Sequence, residues 1–489
     1  MLQREALVAE IAREVLVRLQ ERGAAPARPP AASAPLPPPR PGPALGDGVF
    51  ATVDEAVKAA AAAQRRVAAM GLEERGRMVD VVRRVCDERA RELGRRELDE
   101  TGIGRLDHKI AKLQAVKRVL GVEALRSDAR SDASGLCLIE HAPWGVVGMV
   151  LPATHSAPTL ASNAINVLAA GNTAVFSPHP AGARVAASAL QLFDREIERS
   201  LGVRDVLTMV AEPSIQSAQE IFEHPGVALL CVTGGPAVVK AAMAAGKRVI
   251  AAGPGNPPVV VDETAELDAA ARAIVEGASF DNNLLCIGEK EVFVVASVAD
   301  GLLAALRRAG AHQLDAAAVD RLTEAAFEFE EGKPGRGCGR AHVRKQLLGK
   351  DASVLAAAAG VRVPAGTPLL FGETEEQHAF VQEEQMMPFL PIVRVGDVTA
   401  AIAAALRAEH GYHHTALIHS RDVGNVTRMA RALDTTLFVH NAPSMAALGI
   451  GGPGYLSFSI ATPTGEGVTT PLTFTRERQI AVGGALRIV

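Results

Sequence analysis

One cysteine, Cys286, stands where a thiol could do covalent chemistry. It lies in "SFDNNLLCIGEKEVFVV", residues 279–295, between a polar Asn pair and a run that favours β-structure. A thiol at such a junction can face a cleft, with main-chain N–H groups nearby that favour the thiolate and an oxyanion. A single cysteine is nevertheless more often an inert small apolar residue than a nucleophile. Position alone therefore leaves both interpretations open.

The remaining cysteines point to no disulfide or metal chemistry. The total of five is odd, and no CxxC pair occurs. This spacing differs from that of a disulfide framework or a zinc site, and we expect a reducing, cytosolic compartment. The cysteines interpreted as inert are Cys86, Cys137, Cys231 and Cys338.

Elements that could position a reactive residue follow from the pattern of apolar runs. Segments around 53–70 and 72–125 are predicted to be helical, and strand-like and helical runs then alternate through residue 252. Such alternation is typical of a parallel sheet wound with helices on both faces. A second series follows Cys286, including a predicted helix over 314–332. Two α/β domains imply a ligand cleft between them.

Composition excludes several classes of function. At 489 residues the chain has a net charge of −4, one Trp and two Tyr, so neither a phosphate-tracking patch nor base stacking is indicated. No Walker A sequence occurs, and "TGIGR" at 101–105 is a weak glycine pair in a predicted helical region. No apolar run approaches the roughly 18 residues of a membrane span, and no signal-peptide pattern is present. We expect a cytoplasmic protein.

The front of the chain is predicted to be separate from the body. Residues 1–22 place apolar side chains at helical spacing, which indicates a short amphipathic helix. Residues 23–46 are dense in Pro and Ala, a composition typical of a stiff, extended linker. A tethered apolar stripe is available to a partner, and docking is the favoured interpretation. A frayed terminus and an oligomerising coil are the alternatives.

Several separate stretches carry a resemblance to a known family. From about Val49 onward they are "HAPWGVVG", "AAGNTAVFSPHP", "TGGPAVVKAA", "AAGPGNPPVVVD", "FDNNLLCIGEKEV", "EEQMMPFLPIVRV" and "FVHNAPSMAALGIGGPGY". In type and order they resemble the CoA-acylating aldehyde dehydrogenases of bacterial microcompartments, which act on acetaldehyde or propionaldehyde. The front end resembles the helix and linker that route these enzymes into the shell.

The resemblance implies an α/β, aldehyde dehydrogenase-like fold with two α/β domains and a β oligomerisation arm. It implies a Rossmann-like cofactor domain over 47–250, with an oligomerisation hairpin near 128–141. A catalytic domain over 251–445 follows, and residues 446–489 return to the cofactor domain and supply an oligomerisation strand. Family members are dimers or tetramers, so a homo-oligomer is expected.

The resemblance also implies a set of site residues. Cys286 falls where the family has its nucleophile, and Glu384 where it has the Glu that holds the nicotinamide ribose. Thr233 and Gly234 match the turn that meets the pyrophosphate of NAD, consistent with a strand end before a helix N-terminus. The alternative for Glu384 is a solvated acid.

The stretch "SPHP" belongs to the same cofactor site. His179, followed by Pro180, stands where hydrolytic relatives have a ribose-binding Lys. Gly182 stands where those relatives often have an acid for the adenosine ribose. Without that acid, the choice between NAD and NADP is not predicted.

Two further departures from the hydrolytic relatives bear on the reaction. Their "ELGGK"-type stretch holds a Glu that activates water, whereas Ala251 to Pro258, "AAGPGNPP", contains no carboxylate. A thioacyl enzyme without that base needs another acceptor, and the thiol of coenzyme A suits the role. His155 replaces an Asn that helps to hold the oxyanion; an imidazole N–H can do the same. The alternative is a His that caps a helix beginning near Pro158.

The resemblance thus implies oxidation of a short-chain aldehyde to acyl-CoA with NAD reduction, inside a bacterial microcompartment and without a metal. Phe458 and Ile460 match the substrate-side loop, with plain core residues as the alternative. A hydrolytic aldehyde dehydrogenase and a shell-docked NAD-binding scaffold without chemistry remain the rival functions.

Overall fold

Residues 43–329 and 341–484 are described by the computed structural model, and all of them belong to one compact unit, Gly42–Val489. The predicted helix 1–22, most of the predicted linker 23–46 and Cys338 lie outside the described residues.

Helices and strands alternate along most of the chain. The helices are α1 (Val53–Val67), α2 (Leu72–Glu88), α3 (Ala90–Thr101), α4 (Leu106–Ala115), α5 (Ser156–Ala169), α6 (Ala183–Leu201), α7 (Ile215–Glu223), α8 (Pro236–Met243), α9 (Leu267–Ser279), α10 (Ala296–Arg308), α11 (Ala316–Ala326), α12 (Ala352–Ala358), α13 (Ala379–Gln382), α14 (Val398–Ala408) and α15 (Val423–Leu433). The strands are β1 (Val49–Phe50), β2 (Asp128–Asp132), β3 (Gly135–Pro143), β4 (Val146–Leu151), β5 (Thr173–Pro178), β6 (Leu207–Val210), β7 (Leu229–Thr233), β8 (Arg248–Ala252), β9 (Pro258–Val261), β10 (Glu291–Val295), β11 (His312–Gln313), β12 (Phe327–Phe329), β13 (Ala341–Val343), β14 (Leu370–Glu373), β15 (Phe389–Val395), β16 (Thr415–His419), β17 (Leu437–His440), β18 (Ile460–Ala461), β19 (Gly467–Val468) and β20 (Thr475–Gly483).

The first sheet has six parallel strands in the order β1-β6-β5-β4-β7-β8. Every residue of β4 and β5 is buried, as expected for a parallel sheet covered by helices on both faces. Helix α5 is buried along its whole length because α2 and α6 pack over it. The start of α5 is therefore held firmly at the carboxyl end of β4.

The second sheet has seven parallel strands in the order β11-β14-β15-β10-β9-β16-β17. Its central strand β10 consists of buried Glu291, Val292, Phe293, Val294 and Val295, and it directly follows the segment that carries Cys286. Two parallel sheets in sequence confirm the predicted α/β class. The first sheet ends at Ala252, two residues past the predicted domain boundary; the domain limits themselves stay predictions.

A three-stranded antiparallel sheet, β2-β3-β20, forms an arm. Strands β2 and β3 make the hairpin predicted near 128–141, and β20 pairs with β3 over its whole length, from Thr475 opposite Pro143 to Gly483 opposite Gly135. Most residues of β2 and β20 are exposed. Their role in oligomerisation stays a prediction.

Three local predictions were wrong. Helix α11 ends at Ala326 instead of continuing to 332, because Phe327 enters the core and starts β12. The predicted helix before Cys286 ends at Ser279 rather than running through the Asn pair. The "TGIGR" pair forms the break between α3 and α4, where Gly102 and Gly104 have positive φ. None of the described helices combines the length and apolar character that a membrane crossing requires.

Candidate active site

Three consecutive left-handed residues lead from α9 to Cys286. Asp281, Asn282 and Asn283 have φ of 48°, 57° and 62°. Asp and Asn tolerate this conformation better than other non-glycine residues, but a run of three persists only where the surroundings hold it. The Asn282 amide donates to the Gly349 carbonyl at 3.0 Å, and the Asn283 amide donates to the Glu289 carbonyl at 2.8 Å. Side-chain hydrogen bonds thus set the path of the chain into the cysteine.

Cys286 is half-buried, and it packs against the apolar core of the first sheet. Burial, followed by the negative charge of Glu384, raises the pKa of its thiol to about 12. Lys290 and the N–H groups of Cys286 and Ile287 act in the opposite direction and are outweighed. The main-chain N–H groups thus favour the thiolate, as expected at this junction, but desolvation opposes it more strongly.

Gly255, from the "AAGPGNPP" stretch, fills the space between Cys286 and a histidine. A Cβ at position 255 would lie 2.7 Å from the Cys286 carbonyl oxygen and 2.8 Å from Cγ of His414. The Gly255 N–H donates to Glu384, whose pKa burial raises to about 7. Glu384 is half-buried and its charge acts on Cys286, so the interpretation as a solvated acid does not hold.

His155 provides the residue before α5 but does not cap it. The helix begins at Ser156, earlier than predicted, and the His155 side chain makes no capping hydrogen bond. The ring is buried and its centroid lies 5.7 Å from that of Phe458. Nε2 lies 3.5 Å from the Thr154 hydroxyl, whereas Nδ1 finds no hydrogen-bond partner in the described part of the chain. Burial and the charge of Lys112 hold the pKa of His155 well below its usual value, so the ring is neutral and one nitrogen carries a hydrogen to donate.

Phe458 and Ile460 differ in their surroundings. Both are buried in the core cluster against which Cys286 packs. Ile460 belongs to β18 and pairs opposite Val468, as a core residue would. Phe458 lies beside His155, the candidate oxyanion donor. The ring contact with His155 links Phe458 to the site; a role in the substrate pocket stays a prediction for both residues.

A cavity of about 440 Å³ opens at the carboxyl ends of β4, β5 and β7. The predicted cofactor residues that line it are His179, Pro180, Thr233 and Gly234. Its other walls are mainly apolar, and they come from the adjoining ends of α7 and α8.

The geometry at this cavity fits a dinucleotide. Helix α8 begins at Pro236 directly after the turn at the end of β7, so its first N–H groups face an anion without competition. The Thr233 hydroxyl lies 2.7 Å from the Ser459 hydroxyl, which fixes the end of β7. At Gly182 a Cβ would lie 2.8 Å from the Ser156 Cβ, so a larger residue there would require the start of α5 to shift.

Further titratable residues gather near Cys286 that sequence reasoning had not singled out. Lys290 is fully buried and donates to the Asn283 carbonyl at 2.8 Å and to the Leu285 carbonyl at 3.2 Å. Burial lowers the pKa of His414 to about 4, and its Nε2 has no partner in the described residues. Burial also raises the pKa of Glu291 well above its usual value. The signal was present in the three charges of "GEKEV", which stand inside an otherwise apolar, β-prone run.

Within residues 43–329 and 341–484, no group of three or more His, Cys, Asp or Glu side chains is arranged to hold a metal ion.

Known proteins are similar to this chain in sequence and in fold. The chain is 46% identical over 444 residues to the acetaldehyde dehydrogenase (acetylating) EutE of Salmonella typhimurium, covering 90% of this chain and 94% of that protein. The structure of Rhodopseudomonas palustris propionaldehyde dehydrogenase with bound CoA and an acylated cysteine is 41% identical, with a TM-score of 0.87, over 91% of this chain and all of that one. A propionaldehyde dehydrogenase from the Clostridium phytofermentans fucose utilisation bacterial microcompartment is 38% identical, with a TM-score of 0.86, over 91% of this chain and 100% of that one.

The profile of the Aldehyde dehydrogenase family matches residues 47–321, which span the first sheet, Cys286 and the strand that follows it. Together with these relatives over nine-tenths of the chain, the match establishes that the chain belongs to the aldehyde dehydrogenase family.

Proposed function

We propose that this chain oxidises a short-chain aldehyde to acyl-CoA, reduces NAD, and passes through a thioester on Cys286. The observation that carries this proposal is the composition of residues 251–258, which contact Cys286 through Gly255. At Gly255 only main chain faces Cys286, and residues 251–258 contain no carboxylate that could activate water. A thioester lacking a base for water is resolved by a thiol.

The first step is deprotonation of Cys286. Its pKa of about 12 keeps the thiol protonated at neutral pH, so attack needs an acceptor. Cys286 is half-buried, so solvent can take this proton, while the negative charge of Glu384 opposes its loss. Glu384 would instead hold the nicotinamide ribose of NAD. The thiolate then attacks the aldehyde carbonyl carbon, and the carbonyl π electrons move to oxygen.

The second requirement is a site for that oxyanion. The Cys286 main-chain N–H is one donor. His155 is the other, because its neutral ring can carry the hydrogen on the unpartnered Nδ1 while Nε2 accepts from Thr154. Phe458 would shield the imidazole from water, since the two ring centroids lie 5.7 Å apart.

The cavity at Thr233, Gly234, His179 and Pro180 is where these residues would hold NAD. When bound, NAD supplies the acceptor for the hydride that leaves the aldehyde carbon. The thioester left on Cys286 is then attacked by the CoA thiolate, which forms acyl-CoA and returns the Cys286 thiolate.

The setting of the enzyme belongs to the same proposal. One similar structure comes from a bacterial microcompartment, and residues 1–22 and 23–46 have the composition of a docking helix and a linker. We assign the cytoplasm, within a microcompartment, as its location and a shell or core protein as the partner of residues 1–22. The exposed arm strands β2 and β20 would make a homo-oligomer of two or four copies.

The test is NADH formation from propionaldehyde and NAD, with and without CoA. We expect turnover only with CoA, and without it a single burst of about one NADH per subunit, since the thioester then waits for a thiol. The Cys286→Ser variant should show no burst. Equal turnover without CoA would establish the hydrolytic rival, with Glu384 as the base to examine, and full NAD reduction by Cys286→Ser would remove the assignment of the nucleophile.

A further inference from the structure

A buried ionic network lies behind the active site, and the reaction described above makes no use of it. Two lysines and two carboxylates in it have no solvent exposure: Glu97, Lys109, Lys112 and Asp281. Lys109 lies 3.3 Å from Glu97, and Lys112 lies 2.5 Å from Asp281. Buried ion pairs seldom add net stability compared with apolar residues of similar size, so stability alone does not account for this network.

Asp281 is the member that reaches the nucleophile. It begins the left-handed run, five residues before Cys286, and helix α4 and the residue before it hold its polar groups. One carboxylate oxygen accepts from the Arg105 N–H at 2.7 Å, and the Asp281 N–H donates to Nδ1 of His108 at 2.8 Å. The other carboxylate oxygen accepts a hydrogen bond from the Lys112 ammonium group. Although burial opposes ionisation, the two lysines keep the pKa of Asp281 below its usual value.

The "TGIGR" stretch makes this contact possible. A Cβ at Gly104 would lie 2.3 Å from a carboxylate oxygen of Asp281, so a larger residue would force the carboxylate away from the Arg105 N–H. Gly104 also donates to the Gly349 carbonyl at 2.8 Å, and that same carbonyl accepts from Asn282. The glycine pair in this stretch is therefore where the chain packs closely against the segment that leads to Cys286.

Lys112 also reaches the second catalytic element. Its ammonium group lies 3.5 Å from the main-chain carbonyl of Thr154, next to His155. One buried cation thus contacts the segment that precedes the nucleophile and the loop that carries the oxyanion donor. Lys109, one turn away on α4, pairs with Glu97 and lies 3.8 Å from Asp281.

We propose that Lys112 is a positioning residue for the acyl-transfer reaction. It holds Asp281 and the Thr154 carbonyl together and so sets the distance between Cys286 and His155. This inference rests on the proposed function, because it assumes that the sulfur and the imidazole act on the same carbonyl group. A change in their separation weakens stabilisation of the transition state more than binding of the aldehyde.

The experiment compares two neutral double variants. Lys112→Met with Asp281→Asn removes the proposed anchor and leaves no unpaired charge. Lys109→Met with Glu97→Gln removes an equally buried ion pair on the same helix. For the first we expect the rate constant of the NADH burst to fall about 10- to 100-fold, with a lower kcat and a nearly unchanged KM for propionaldehyde. The second should stay within about threefold of wild type at a similar melting temperature.

Equal losses in both double variants, or a loss confined to the melting temperature, would overturn the proposal. If the first does not fold, His108→Ala tests the same anchor by removing the acceptor of the Asp281 N–H together with the stacking of this ring on Phe280. An unchanged burst rate there would also overturn the proposal. Iodoacetamide alkylation of Cys286, measured without aldehyde or CoA, keeps the two questions apart. If wild type turns over without CoA, the proposed function fails, whereas the anchor is still supported by an alkylation rate that changes in the first variant and not in the second.

Discussion

Replacement of Gly255 by Ala provides the sharpest test of how the site is packed. The added methyl group would lie 2.7 Å from the Cys286 carbonyl oxygen, 2.8 Å from His414 Cγ and 3.0 Å from His414 Nδ1. Ordinary van der Waals contact begins near 3.4 Å. Neither neighbour can rotate away easily, because one is main chain and the other is a buried ring. Relief therefore requires the Cys286 loop or the His414 ring to move by several tenths of an ångström.

Overpacking of this kind costs about 1–3 kcal/mol of unfolding free energy. A displaced nucleophile should in addition lower the burst rate of NADH formation by about tenfold or more. Gly396→Ala is the matched control, since a Cβ there meets no atom within 4 Å. Urea unfolding followed by circular dichroism and stopped-flow absorbance of NADH measure the two effects. A Gly255→Ala enzyme with the stability and burst rate of the control would refute the contact between the "AAGPGNPP" stretch and Cys286.

Three further outcomes are expected. Glu384→Gln removes a negative charge that raises the pKa of Cys286, so iodoacetamide should alkylate Cys286 faster than in wild type at pH 8. The difference should vanish as the pH falls below about 7, because Glu384 is then itself protonated. Glu383→Gln serves as the neighbouring control. Asp194 is fully buried and burial raises its pKa to about 7, so the folded state binds its proton more tightly than the unfolded chain, and wild type loses stability as the pH rises from about 4 to about 7. At pH 8 the free energy of unfolding of Asp194→Asn should therefore exceed that of wild type by about 1–3 kcal/mol. A gain of the same size at pH 4 would contradict this cause. Deletion of residues 1–45 should leave activity intact and abolish association with the shell in a co-sedimentation assay, whereas lost activity would mean that this segment supports the body.

The part of the site that sequence reasoning predicted is the part set by local order along the chain. Thr233 ends β7 and Gly234 follows it before a helix, His179 follows β5 on the other side of β4, and in parallel sheets such turns meet at one edge. The resemblance singled these residues out, and the alternation of strands and helices explains why they line one cavity. The local pattern also drew attention to Cys286, but its position left a nucleophile and an inert thiol equally open, and only the resemblance favoured the nucleophile.

The part that was not predicted depends on contacts between distant segments. Asp281 is anchored by residues about 170 positions earlier, and Gly255 meets a histidine about 160 positions later. The neutral state of the Cys286 thiol follows from burial in the assembled core, which no local pattern reports. The helix predicted through the Asn pair failed for a related reason: tertiary hydrogen bonds to Asp281, Asn282 and Asn283 stabilise a left-handed path that local propensity disfavours.

Lys290 helps to hold the loop that carries Cys286 in one shape. Its ammonium group hydrogen-bonds the carbonyls of Asn283 and Leu285, so it closes the loop around Cys286 from inside. Asp281 fixes the beginning of the same loop from outside, through α4. A lysine whose hydrogens are used by the main chain does not act as a base, and its charge offsets only part of the effect of Glu384 on the thiol. The two buried lysines therefore have different roles: Lys290 fixes the shape of the loop and Lys112 fixes its place. Loss of either one should alter the reactivity of Cys286.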